Sequence, residues 1–287
     1  MGNIMTRPST ISSVSGLHLA WTGALAAVLA FLAYKLLDLH EAFAFGHTRW
    51  SEAYTYWFAR AHLDLGLATT LGLNVEGITG SGDPIYYLSA PPLGGLMQAV
   101  AVYSLGGEPW TVRVLPLLFT LIVAGLVSMF VYRQRGGLAA PIAVLLFLGM
   151  PFVLEYGSSN EGHQAYAIAL GLLGYLGYMR FLVSGRWGPM VFSAVCFALG
   201  MGFNWLSGFM AFAMLAHLWL QPVSLRSRLM ASVLVGAALG SVVLVVLLQQ
   251  GLATGEYLYP FRRALERGNV PQDAAVTWSA LIKLQLG

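Results

Sequence analysis

Seven runs of this chain are apolar enough to lie in hydrocarbon, and that property removes nearly every water-soluble fold from consideration. They fall near residues 17–37, 110–132, 138–154, 165–183, 189–201, 205–220 and 229–249, the fifth being the shortest. Crossing about 30 Å of bilayer core takes about 20 helical residues at roughly 1.5 Å each. The chain is 57% hydrophobic and only 9% charged, against roughly 25% charged in ordinary soluble domains, so it lacks the polar surface a soluble globule of this size needs. The expected fold is an all-α polytopic membrane protein with about seven transmembrane helices and a large first outer loop containing interfacial helices.

The charges set an orientation. Arg133 and Arg135, Arg180 and Arg186, and Arg226 and Arg228 occupy alternate short connections that contain no acidic residue. The positive-inside rule makes those sides cytoplasmic. The expected organisation is then a cytoplasmic N-terminus (1–16), a membrane module (17–249) with an outer loop at 38–109, and an outer-face tail (250–287) at which the chain stops. All acidic residues fall on the outer side as a consequence. The first apolar run exceeds a signal-peptide core and reads as an uncleaved anchor. The single cysteine, Cys196, lies inside an apolar run and excludes an intrachain disulfide. A net charge of +3 gives no argument for a nucleic-acid partner.

The loop from Asp38 to Arg113 is polar and aromatic, with Asp38, Glu41, Glu52, Asp64, Glu76 and Asp83, and a simple anchor has no use for it. Residues 50, 53, 54, 57, 58, 61 and 65 repeat at the helical period, with Glu52, Tyr56 and Arg60 on the opposite face, so an interfacial helix with a charged upper surface is expected. Residues 71–84, with Gly77, Gly80 and Gly82, read as a flexible turn rather than a phosphate cradle. Residues 91–105 are apolar but only about 15 long, which fits a helix lying in the interface; a short true span is the other reading. Gly171, Gly174 and Gly177, and Gly236 and Gly240, are expected at close helix contacts.

Few residues here can carry chemistry. Glu52 is a carboxylate at the predicted membrane surface, suited either to general-base work on a hydroxyl or simply to solvation on a helix face. Glu161 sits in a polar turn, Glu155 to His163, where Asn160 can cap the following helix. Arg113, just inside an apolar run after Trp110, is placed either to bind a phosphate through its planar fork or to reach lipid headgroups. Arg262, Arg263 and Arg267 form a second basic cluster. His40, Glu41 and His47 lack the His-Glu-x-x-His spacing that sets ligands on one helical face, so no metal is expected. The apolar runs carry almost no ionisable groups at their centres, which argues against an ion-coupled transporter.

Several motifs occur in order. They are Ser51-Glu52-Ala53-Tyr54-Thr55-Tyr56-Trp57-Phe58-Ala59-Arg60, then Tyr86-Tyr87-Leu88-Ser89-Ala90-Pro91-Pro92-Leu93, then Gly106-Gly107 with Trp110-Thr111-Val112-Arg113-Val114-Leu115-Pro116. Pro151 with Asn160-Glu161, and Gly202-Phe203-Asn204-Trp205, follow. In that order and topology the chain resembles the GT-C superfamily of polyprenyl-phosphate-dependent glycosyltransferases, especially the protein O-mannosyltransferase and aminoarabinose transferase branch. The resemblance implies inverting transfer of a sugar from a polyprenyl-phosphate donor to an acceptor hydroxyl on the outer face of a bacterial plasma membrane. It implies an acidic base in the first loop, here Glu52, and basic groups holding the phosphate, here Arg113 with Arg262 and Arg263. Glu161 is expected to assist the acceptor, and Tyr56, Arg60, Tyr86, Tyr87, Asn160 and His163 to line the substrate site. The expected partners are membrane lipids, the lipid-linked sugar and a glycan, lipid or protein acceptor.

Two features depart from the family pattern. Relatives commonly carry Asp-Glu where this chain has Ser51-Glu52, and many carry a lysine near Asn204-Trp205. The missing aspartate favours a competing expectation, a non-catalytic protein that binds lipid-linked glycans or an assembly partner. Relatives also continue into further spans, so the chain is expected to be a fragment or a minimal module.

Overall fold

The computed structural model describes residues 14–37, 39, 47–88, 90–159, 164–255 and 257. Eleven helices and one hairpin are found among them. In order they are α1 (Val14–Leu37), α2 (His47–Leu65), α3 (Leu67–Thr70), β1 (Val75–Ile78), β2 (Pro84–Tyr86), α4 (Leu93–Leu105), α5 (Thr111–Arg135) and α6 (Ala139–Leu148). Then come α7 (Pro151–Tyr156), α8 (Gln164–Ser184), α9 (Trp187–Phe203), α10 (Leu206–Leu220) and α11 (Leu225–Thr254). Helices α5, α8 and α11, of 25, 21 and 30 residues, are long and apolar enough to cross a bilayer. The apolar stretch Trp21–Leu37 of α1 and the apolar helices α4, α6, α9 and α10 are shorter, at 10–17 residues. The protein is therefore a helical, membrane-associated protein.

The apolar run expected as one helix over 138–154 is two. Pro151 opens α7 at its first turn, and Met150 before it is extended (φ −61°, ψ 131°). A proline has no N–H to continue the ladder and pushes its predecessor out of the helical region, so α6 closes at Leu148.

The glycine-rich segment expected to be a flexible turn is an ordered hairpin, the one departure from an all-α fold among the described residues. Val75, Gly77 and Ile78 pair with Tyr86, Ile85 and Pro84, with an irregularity between Val75 and Gly77. The tip is closed locally: Ser81 Oγ donates to Asp83 Oδ2 at 2.6 Å, and the Asp83 amide to Thr79 Oγ1 at 3.0 Å. Gly82 supplies the positive φ (+91°) that the tip requires. Small polar residues thus satisfy the backbone that a structureless loop would leave to water.

The largest core lies among α8, α9, α10 and α11, where Tyr178, Phe197, Met190, Leu218 and Val235 are all buried. The first glycine series behaves as expected. A Cβ on Gly177 would stand 2.6 Å from the Pro189 carbonyl oxygen, and one on Gly174 about 3.0 Å from the Phe197 ring. Close approach of α8 and α9 rests on that bare face. The second series differs: Gly236 and Gly240 are exposed and a Cβ at either meets nothing within 4 Å. They are not packing sites within the described residues.

The loop region is fastened to the long helices by amide side chains. Gln249 Nε2 donates to the Leu71 carbonyl at 3.0 Å and Gln250 Nε2 to the Leu88 carbonyl at 3.1 Å, both from the end of α11. Helix α4 buries Gly94, Gly95, Gln98, Ala99 and Val102 against its neighbours while Val100 and Tyr103 stay exposed.

Replacing Gly177 by alanine is expected to cost about 1–3 kcal/mol, since the clash is with backbone that cannot swing away. Gly240→Ala is expected to leave stability unchanged or slightly raised. Thermal unfolding of the detergent-purified variants measures both.

Candidate functional site

The site grows from the face α2 turns toward α4 and α5. Glu52, Thr55, Phe58, Ala59, Ala61 and His62 are buried positions of that helix, each 5% exposed or less. This face overlaps only in part with the one the apolar spacing selected: Phe58 and Ala61 are buried, while Trp57 is 43% exposed. Glu52 was expected on a solvated upper surface and is instead 2% exposed. The reason is its partner, 61 residues away. Arg113, in the first turn of α5 and 1% exposed, donates from Nε to Glu52 Oε2 at 2.9 Å, with Nη2 2.8 Å from the same oxygen. Arg113 Nη1 also donates to the Leu39 carbonyl at 2.5 Å. One guanidinium therefore ties together α2, α5 and the chain leaving α1.

Two charges this deeply buried lose several kcal/mol of hydration each, which their attraction and the remaining hydrogen bonds must offset. The snorkelling alternative for Arg113 does not hold, because its head points inward to a carboxylate.

The other expected site residues are dispersed. Tyr56 donates its hydroxyl to the Gly107 carbonyl at 2.5 Å, tethering α2 to the turn before α5. Arg60 pairs with Asp64 at 3.0 Å one turn on, with the side chains 42% and 55% exposed, a surface pair of small energetic weight. Tyr86 donates to the Thr69 carbonyl at 2.9 Å, and the Tyr87 ring lies 5.4 Å from that of Phe58 and 6.1 Å from that of Tyr54. Tyr86 fastens the hairpin to α3 and Tyr87 packs on α2, and these contacts do not involve Glu52. Asn160, Glu161, His163, Arg262 and Arg263, like Asp38, His40 and Glu41, lie outside the described residues.

Three polar features of the region escaped the sequence reading. Lys35 is 2% exposed and donates to the Glu155 carbonyl at 3.1 Å, joining α1 to the end of α7. Its only signal was a lone cation near the end of an uncharged helix. Gln98 is fully buried, with Nε2 donating to the Tyr166 hydroxyl at 2.7 Å and to the Val112 carbonyl at 3.3 Å. The third is His62, whose Nδ1 lies 3.0 Å from Thr70 Oγ1. Thr70 Oγ1 donates to the Gly66 carbonyl at 3.2 Å, so the threonine links His62 to the start of α3. Asn74, 1% exposed, completes this cluster against Gly95, where a Cβ would stand only 1.9 Å from Asn74 Oδ1.

A cavity of about 160 Å³ opens between α5, the α6–α7 break and α8. Val123, Phe147, Met150, Phe152 and Ile168 give it an apolar wall, with the Ser159 hydroxyl buried at its edge. Among the described residues no group of three or more His, Cys, Asp or Glu side chains is gathered as metal ligands would be.

Comparison of the chain with family models, curated proteins and solved structures returns no match. The class stated by fold alone is a helical membrane-associated protein with a buried ion pair under a folded loop.

Arg113→Met and Glu52→Met are each expected to cost about 3–5 kcal/mol, the penalty of stranding a buried charge. The double variant is expected to recover most of that loss, since both charges leave together; thermal unfolding of the three proteins reads this out. Stability is also expected to depend on His62. Burial pushes its imidazole below the usual 6.5, with Asn74 opposing in part. The unfolded chain then takes the proton first, so stability is held at neutral pH and falls as pH drops through about 6.5. The thermal midpoint is expected to fall between pH 7.5 and 5.5 by less in His62→Gln than in the parent.

Proposed function

We propose that this protein is an inverting membrane glycosyltransferase, moving a sugar from a polyprenyl-phosphate donor to an acceptor hydroxyl at the outer face of the membrane. The seven-span topology with a cytoplasmic N-terminus belongs to this proposal. The single observation that carries it is the Glu52–Arg113 pair. A carboxylate and a guanidinium chosen from sequence as base and phosphate ligand, 61 residues apart, meet at one point under the loop.

Their pairing suggests an order of events. A phosphate presents oxygens to both arms of the Arg113 fork, whose Nε and Nη2 each lie against Glu52 Oε2. The arriving donor phosphate competes for the guanidinium and releases Glu52. Glu52 then accepts the proton of the acceptor hydroxyl as its oxygen forms the new bond at the anomeric carbon. The bond from that carbon to the phosphate oxygen breaks, and polyprenyl phosphate leaves with its charge held by Arg113. The apolar cavity between α5, α7 and α8 has the character an isoprenoid chain needs.

A second reading is favoured by one observation. Glu52 and Arg113 are 2% and 1% exposed and bonded to each other, which is also how a purely structural pair is built. On that reading the protein binds lipid-linked glycans or an assembly partner without catalysis.

Mass spectrometry of lipids co-purifying with the protein and with Arg113→Ala separates the readings, alongside a transfer assay with Glu52→Gln. A polyprenyl phosphate depleted in Arg113→Ala, and transfer lost by at least a hundredfold in a folded Glu52→Gln protein, are expected from general-base loss of about 10²–10⁴. Full-rate transfer by Glu52→Gln removes Glu52 from the role of base.

A further inference from the structure

Helix α5 contains Pro116, and a proline has no N–H to donate to the carbonyl four residues earlier. That carbonyl belongs to Val112, which is 1% exposed and immediately precedes Arg113. An unanswered carbonyl in that setting is costly. It is answered from another helix: Gln98 of α4, fully buried, brings Nε2 to 3.3 Å from the Val112 oxygen. The same nitrogen donates to the Tyr166 hydroxyl of α8 at 2.7 Å. The amide orientation follows from chemistry, since only the NH₂ end can face a carbonyl oxygen.

We infer that Gln98 is a positioning residue for the Glu52–Arg113 pair, holding the first turn of α5 through the carbonyl that Pro116 leaves open. This rests on the reading of that pair as the functional site. Helix α4 packs on α2, which carries Glu52, and on α5, which carries Arg113. A bond from the middle of α4 to the residue beside Arg113 therefore fixes the register of the two helices at the point where their charges meet. Tyr166 fixes the amide in turn, and its ring stacks 4.9 Å from Phe203. The usual carbonyl-to-amide bond of a helix would tie Val112 only to its own helix; with proline at 116 it is available to tie α5 to α4.

The test is a set of double-mutant cycles read by thermal unfolding of the full chain in detergent. Gln98→Leu is expected to lower the midpoint in the parent and to cost much less in Pro116→Ala, where the alanine N–H can take over the Val112 carbonyl. The coupling between Glu52→Met and Arg113→Met is expected to fall by half or more in Gln98→Leu. It is expected to change little in Tyr166→Phe, which keeps the Val112 bond and serves if Gln98→Leu does not fold. Equal cost of Gln98→Leu with and without Pro116, or an ion-pair coupling untouched by it, overturns the inference. Neither result depends on sugar transfer, so an inactive protein with intact coupling would count against the glycosyltransferase reading alone.

Discussion

A carboxylate and a guanidinium sealed from water within a few residues of a membrane helix end impose order on everything around them. Neither Glu52 nor Arg113 can be buried alone, because the cost of an unpaired charge in such a medium exceeds what most side-chain contacts return. The chain leaving α1, helix α2 and helix α5 must therefore arrive together for the pair to form. Arg113 Nη1 also donates to the Leu39 carbonyl, so the connection out of α1 is drawn into the same knot. The loop that follows is consequently a folded platform on the long helices.

The platform is held mainly by backbone carbonyls reached from side chains. Gln98, Gln249, Gln250, Tyr56, Tyr86 and Lys35 each donate to a carbonyl of a distant segment. Each such bond answers a polar group that would otherwise be hidden from water without a partner. The amides of α11 matter particularly, because they join the end of the last described long helix to the loop nearest the chain's beginning. A loop anchored at this many points holds Glu52 and Arg113 in a fixed place, as the proposed transfer would require.

Parts of this were legible from the residue order. The apolar runs marked the helices because hydrocarbon length and helical rise leave little freedom. The glycines at 171, 174 and 177 marked close packing of α8, with 174 and 177 against α9 and 171 against α10, since spacing alone shows that small residues share a side. Glu52 and Arg113 were each singled out as unusual for their setting. Other parts were not. The apolar spacing on α2 selected a face that includes the exposed Trp57 and assigned Glu52 to solvent, because periodicity has no way to register a compensating charge 61 residues away. The hairpin was missed because its strands are four and three residues long and its tip is rich in glycine. Gln98 escaped notice because it lies within an otherwise apolar run, and nothing local shows that its amide answers a carbonyl on another helix.

Composition and periodicity by themselves determined that this protein is helical and associates with membrane, because both follow from the local cost of exposing backbone and apolar surface to the wrong solvent. Tertiary structure alone decided that Glu52 faces inward, that Arg113 is its partner and that the tyrosines of the loop serve as fasteners. Those outcomes depend on which distant groups share a low-dielectric space, and the strength of a charge or hydrogen bond there is set by that neighbourhood rather than by position along the chain.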